Sequence, residues 1–158
     1  RQMCIRDSMM LVDLARNDLS RACSDVKVEK DREIQFYSHV IHLVSKVTGK
    51  LKSNSKDIIG STFPAGTLSG APKHMAMKLI EKYEQHNRSF YGGAIGFIDF
   101  ENNFNHAILI RSFLSKNQNL FFQAGAGIVS KSNPDDELNE VYNKVGALLK
   151  ALEKAEEI

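Results

Sequence analysis

Arg111 stands in the middle of an otherwise apolar run, HAILIRSFL. In an extended strand it shares a face with Ala107, Leu109 and Phe113, and a guanidinium on such a face must be paired. A ligand carboxylate held by two parallel N–H bonds is one possible partner; a structural salt bridge to Asp13, Asp99 or another acid is the alternative. Tyr91, just before Gly92 and Gly93, can add a phenol donor to the same anion or serve as a core aromatic with one satisfied hydroxyl. The stretch AGAG, Ala124 to Gly127, lets a ligand approach backbone N–H groups, because the two glycines flanking Ala126 carry no Cβ. A β-bulge or a crowded strand crossing would use the same glycines. It is no dinucleotide fingerprint, since no helix-opening glycine spacing follows it.

Glu137, Glu140 and Lys144 fall one and two turns apart on one helix face, with Leu138, Tyr142, Val145, Leu149 and Leu152 on the other. Two carboxylates one turn apart suit Mg²⁺, a hard cation that keeps waters and uses few protein ligands. A solvated Glu–Lys face has the same spacing. His39 and His42 lie three apart in an apolar run, on opposite sides of a strand or on one side of a helix. Each reads as a satisfied core histidine or as a proton-transfer group, and no third ligand stands at zinc-site spacing.

The segment FPAGTLSGAPK, Phe63 to Lys73, holds two of the three prolines and two of the ten glycines. Such rigid, bare backbone serves a sharp turn between elements, or a wall against a small charged ligand. GTLSGAPK is not the phosphate-binding loop pattern, because its lysine comes too late and no hydroxyl follows it.

The elements that must position these residues read as mixed helix and strand. MMLVDLARNDL is a buried segment running into a polar turn at Asn17 and Asp18. QFYSHVIHLVSKVTG is apolar and β-branched, closed by Gly49, and LKSNSKD is a polar loop. APKHMAMKLIEKYEQ has helical spacing over Ala71–Gln85, with Ser69 or Gly70 as cap and Pro72 in the first turn. Three apolar segments, Tyr91–Phe100, His106–Leu114 and Leu120–Val129, are separated by ENN and KNQN. That pattern predicts an antiparallel meander. A last helix is predicted over Pro134–Glu156, capped by Ser132 or Asn133, with Asp135, Asp136 and Glu137 at its positive end. The fold class is α+β, antiparallel strands flanked by helices.

Composition sets the limits. With 158 residues, 42% of them hydrophobic, one domain with a sizeable core is expected. A formal charge of +2 implies no nucleic-acid partner. No apolar run reaches the roughly 20 residues that span a bilayer. Cys4 and Cys23 lack metal-type spacing and no secretory pattern opens the chain, so a reducing cytoplasm is expected. RQMCIRDSMM begins without Met and has neither helical nor strand periodicity; residues 1–8 are expected to be foreign or mis-joined.

In their order along the chain, LVDLARNDLSR, YSHVIHLVSKVTG, FPAGTLSGAPKHMAMKLI, YGGAIGF, AILIRS and QAGAGIVSKSNPDDELNEVYNK closely resemble the chorismate-utilising enzymes. Within them, Gly66-Thr67-Leu68-Ser69 resembles the branch that forms anthranilate, the component I large subunit. The aminodeoxychorismate-forming sister branch, component I of the folate pathway, more typically has Gly-Ser-Ile-Thr there. The resemblance covers residues 9–158 and implies the C-terminal portion of a chorismate-binding α/β sandwich domain. It implies a lyase of tryptophan biosynthesis that aminates chorismate with ammonia and expels pyruvate, with Mg²⁺ as cofactor and ammonia delivered by a glutamine amidotransferase subunit, component II. It implies that His42 takes part in proton transfer during aromatisation. Thr67 would face the substrate, and Tyr91, Arg111 and the backbone of Gly125, Ala126 and Gly127 would hold the enolpyruvyl carboxylate. Glu140 would ligate Mg²⁺ beside Glu137, and Lys144 would stand close to the substrate. A Glu-x-x-Glu pair of the family would fall at Cys4 and Asp7, so a chain inactive by itself is expected. A non-catalytic module that binds a carboxylate or a partner subunit is the reading from another class.

Overall fold

The computed structural model describes residues 5–36, 41–52 and 54–157, with the side chains of residues 5–8 left aside. The chain divides into two compact units, Arg1–Ile80 with Ile98–Phe104, and Glu81–Phe97 with Asn105–Ile158. No described side chain is less than 2% exposed.

The first unit opens with helix α1, Ile5–Ala22. It runs through Asn17 and Asp18, where sequence reasoning expected a polar turn, and starts inside the segment judged aperiodic. Local propensity at Asn and Asp is weak, and packing overrides it. α1 lies against the strands β1, Cys23–Phe36, and β2, Ile41–Leu51, and against helices α2, Ser55–Thr62, and α3, Gly66–Ser69. Ala22 and Cys23, at the joint of α1 and β1, are buried, as are Asp18 and Ser55.

β1 and β2 pair antiparallel from Cys23 opposite Leu51 to Phe36 opposite Ile41. The register slips between Ser24 and Lys27 and between Lys30 and Glu33. Asp25 and Arg32 sit within those slips, each at φ +51°, as an extra bulge residue does. Gly49 lies inside β2 and does not close it. A Cβ there would stand 2.9 Å from the Cys23 Cβ, so the cross-strand approach, not a turn, requires glycine. Leu51 of LKSNSKD ends β2, and Asn54, whose side chain accepts from the Asp57 N–H at 3.2 Å, caps α2.

Helix α4 covers Lys73–Tyr83, close to the predicted span. The capping expectation is corrected. Ser69 belongs to the short α3 and bonds Ala65 O at 3.1 Å, while Pro72 precedes the helix and its carbonyl accepts from Ala76. The predicted three-strand meander is corrected too. β3, Ala94–Ile98, pairs with β4, Phe104–Ile108, while β5, Leu114–Lys116, pairs separately and antiparallel with β6, Asn119–Phe121. Two local conformations divide the runs. Arg111, at φ +52°, interrupts the predicted second strand, and Asn117 and Gln118, at φ +53° and +60°, form a two-residue hairpin turn. Residues 122–129 form no strand.

In the second unit helix α5 spans Pro134–Glu156, as predicted. Asn133 is the cap, its side-chain oxygen accepting from the Asp135 N–H at 2.9 Å. Pro134 occupies the first turn and Asp135, Asp136 and Glu137 complement the helix dipole. Val145 and Glu137 are its buried residues.

Candidate functional site

The second unit brings four of the expected residues into one chain of contacts. Tyr91 ends a turn whose N–H bonds Arg88 O at 2.8 Å, and the Arg88 guanidinium lies 5.7 Å over its ring. Gly92 N–H donates to Leu109 O and Leu109 N–H donates to Gly93 O, both at 2.8 Å, so this turn is tied to the end of β4. The phenol then faces Gly125: a Cβ on that glycine would stand 3.4 Å from the Tyr91 hydroxyl. Gly125 O accepts from Lys144 Nζ at 2.8 Å, and the same ammonium pairs with Glu140 Oε1 at 3.0 Å. Lys144 and Glu140 are each about a third exposed, one helical turn apart on α5. Gly127 faces open space, with nothing within 4 Å of a Cβ position, and Ala126 between them is half-buried.

Arg111 belongs to the same unit but not to a strand face. It is exposed, in the bend after β4, with its backbone in the left-handed region at φ +52°. Among the described residues its guanidinium has no hydrogen-bond or ion-pair partner, and Asp99 instead accepts from Glu101 N–H, Asn103 N–H and the Asn103 amide. The expected strand alternation with Ala107, Leu109 and Phe113 is therefore corrected.

Glu137 is 7% exposed and accepts from Ser132 Oγ at 2.8 Å. Ser132 Oγ also accepts from Val129 N–H, so this carboxylate anchors the turn that leads into α5. Glu137 and Glu140 fit a hard cation in donor chemistry, being oxygen ligands one turn apart. Among the described residues no group of three or more His, Cys, Asp and Glu side chains could hold a metal. Such a pair suits an ion that completes its shell with water and substrate oxygens. Asp7 lies in α1 with its side chain undescribed, and Cys4 lies outside the described residues.

In the first unit, His42 is exposed on β2 opposite Gln35, which settles the strand alternative for it; His39 lies outside the described residues. Thr67 is the one exposed residue among 61–70, set in α3 with Gly66 against Leu14. A cleft of about 1000 Å³ also lies in this unit, lined by Met9, Met10, Leu14, Pro72, Asp18 and Lys73 among others. It contains none of the expected residues. Sequence reasoning considered Lys73 only to exclude a phosphate loop and read Asp18 as part of a turn. The structure pairs them at 2.6 Å, with side chains 17% and 9% exposed. Their separation of 55 positions left no local signal.

Three comparisons bear on this geometry. Anthranilate synthase component 1 of Aquifex aeolicus is 48% identical over 155 residues, 96% of this chain and 31% of that relative. The chain therefore spans about a third of such a relative's length. A crystal structure of anthranilate synthase component I from Streptococcus pneumoniae superposes with a TM-score of 0.81 at 43% identity, covering 86% of this chain and 32% of that one. The menaquinone-specific isochorismate synthase of Escherichia coli shares the fold, with a TM-score of 0.85 at 23% identity over 94% of this chain and 34% of that one. Residues 7–150 match the family described as chorismate binding enzyme, so the chain belongs to that family.

Proposed function

We propose that the chain is part of a component I anthranilate synthase, which aminates chorismate with ammonia and releases pyruvate and anthranilate. The observation that carries the reading is the continuous set Tyr91 hydroxyl, Gly125, Lys144 and Glu140 in one unit, together with the unpaired guanidinium of Arg111. Chorismate is a dianion, and each carboxylate needs its own receiver. Arg111 offers a two-pronged donor set, Tyr91 a phenol, and Gly125 to Gly127 a backbone without side chains in the way. Lys144 holds the Gly125 carbonyl and so orients that backbone, and its charge adds to the attraction for an anion.

Glu140, with Glu137 beside it, would hold Mg²⁺, which when bound supplies positive charge at the ring carboxylate and stabilises the departing hydroxyl. Ammonia adds to the ring as that hydroxyl leaves as water. Loss of pyruvate and of a ring proton then gives the aromatic product. His42 is the proposed proton carrier, and its exposure on β2 leaves it accessible. Thr67, exposed within a half-buried loop, is a proposed substrate contact. A glutamine amidotransferase subunit is the proposed ammonia source, in the cytoplasm. No helix among the described residues is long and apolar enough to cross a membrane.

The test is product identification with the full-length parent, chorismate, ammonia and Mg²⁺. Anthranilate fluorescence supports the reading. Accumulation of aminodeoxychorismate moves it to the folate-pathway sister enzyme, and absence of any chorismate turnover overturns it.

A further inference from the structure

The loop between α2 and α4 is closed by one ammonium. Lys73, the first residue of α4, donates from Nζ to Asp18 Oδ2 at 2.6 Å and to Thr62 O at 3.2 Å. Thr62 is the last residue of α2, and its carbonyl is one of those a helix end leaves without an intrahelical partner. Lys73 therefore ties the two ends of the loop Phe63–Pro72 to each other and to α1. A second contact fixes the same loop on the same helix face. Gly66 lies so close over Leu14 that a Cβ there would stand 1.8 Å from Leu14 Cδ2. Leu14 and Asp18 are four apart on α1, one above the other. Thr67 follows Gly66 directly and is the only exposed residue in 61–70.

We propose that Lys73 is a positioning residue: with Asp18 and the Thr62 carbonyl it forms a buried latch that sets the place and orientation of Thr67. The proposal rests on the reading that Thr67 faces substrate. Lys73 lines the cleft of the first unit, but its head is taken by two acceptors and only 17% of its side chain is exposed. Its effect on the reaction passes through the loop. The single turn of α3 carries the connection, through Leu68 N–H and Ser69 N–H to Ala65 O and Gly70 N–H to Gly66 O.

The test is a cycle in the full-length parent among Thr67→Val, the charge-free double variant Asp18→Asn with Lys73→Met, and all three together. Removing both charges avoids leaving either one buried alone, which would unfold the site for an unrelated reason. Releasing the latch is expected to lower kcat/KM for chorismate on the order of 100-fold, as a misplaced contact does. In the Thr67→Val background the same release should cost little more. Hydrogen exchange at Leu68, Ser69 and Gly70 should quicken about tenfold in the double variant while α1 stays protected. Lys73→Arg, which keeps the charge and both bonds, should restore most of the activity. Losses that multiply in the triple variant, or unchanged exchange in the loop, overturn the latch. A Thr67→Val enzyme with wild-type kinetics overturns instead the reading of Thr67 on which the latch depends.

Discussion

At the scale of single residues, Arg111 is the most informative. A non-glycine residue at φ +52° is uncommon, and a guanidinium without an acid beside it contributes nothing to folding through an ion pair. Both facts agree with a residue placed for a ligand. Arg111→Lys in the full-length parent is expected to lower kcat/KM for chorismate about 100-fold, because a point charge cannot replace a two-pronged carboxylate contact. Thermal stability should stay as it was, measured by circular dichroism on the same preparation. Equal kinetics for Lys and Arg would remove Arg111 from the site. Glu84 gives a pH prediction. Its carboxylate is held below the ordinary value of 4.5, first by the hydrogen bond from Arg88, which outweighs the upward push of burial, with a smaller downward contribution from that residue's charge. A lowered folded value means a contribution fully present above pH 4.5 and lost as pH falls through the folded value. Because the pair is partly exposed, the effect is modest. Glu84→Gln should flatten the acid limb of a stability-against-pH curve; an unchanged limb would show that the Arg88 bond is not kept in solution.

At the scale of elements, α5 carries much of the proposed site and depends on how it starts. Asn133 caps it, Pro134 presets its first turn, and Ser132 fastens Glu137. Asn133→Ala is expected to cost about 1 kcal/mol, read from urea unfolding. The β3–β4 pair depends on a glycine for a different reason. A Cβ at Gly96 would lie 2.2 Å from Asn105 O and 2.7 Å from the His106 Cα, against backbone that cannot swing aside. Gly96→Ala should force the strands apart and cost about 1–3 kcal/mol, as overpacking does. A neutral Gly96→Ala would mean that the two strands do not approach this closely.

At the scale of the whole molecule, the apolar surface left uncovered stands out. Phe97 is 68% exposed, Ile95 63%, Ile128 81% and Phe36 78%. Ile110 and Phe121 are exposed as well, and Ile108 is half-buried. Exposed apolar side chains in such number favour association. The chain spans 31% of a curated relative, and we propose that other segments of the parent cover these faces and complete the metal site. Expressed by itself, the chain is expected to self-associate in sedimentation, bind a hydrophobic dye, and give no anthranilate from chorismate, ammonia and Mg²⁺. A monomer with turnover near that of the full-length enzyme would overturn this.

Local sequence carried whatever depended on local chemistry. The span of α5 and its cap were legible because a cap residue, a proline and three acids in a row act within one turn. The helix after FPAGTLSGAPK was legible from apolar spacing alone, and the family from long motifs in fixed order. The strand predicted over His106–Leu114 was misread because apolar alternation cannot register a backbone that turns left-handed at Arg111, whereas the turn at Asn117 and Gln118 falls in KNQN, where a separator was expected. The polar turn at Asn17 and Asp18 was misread because a partner 55 positions away neutralises that carboxylate and lets the helix run on. Gly49 as a cross-strand approach and Lys144 as the link from Glu140 to Gly125 belong to the same class. Each depends on which distant group arrives within about 3 Å, the range at which hydrogen bonds form, and only tertiary packing decides that.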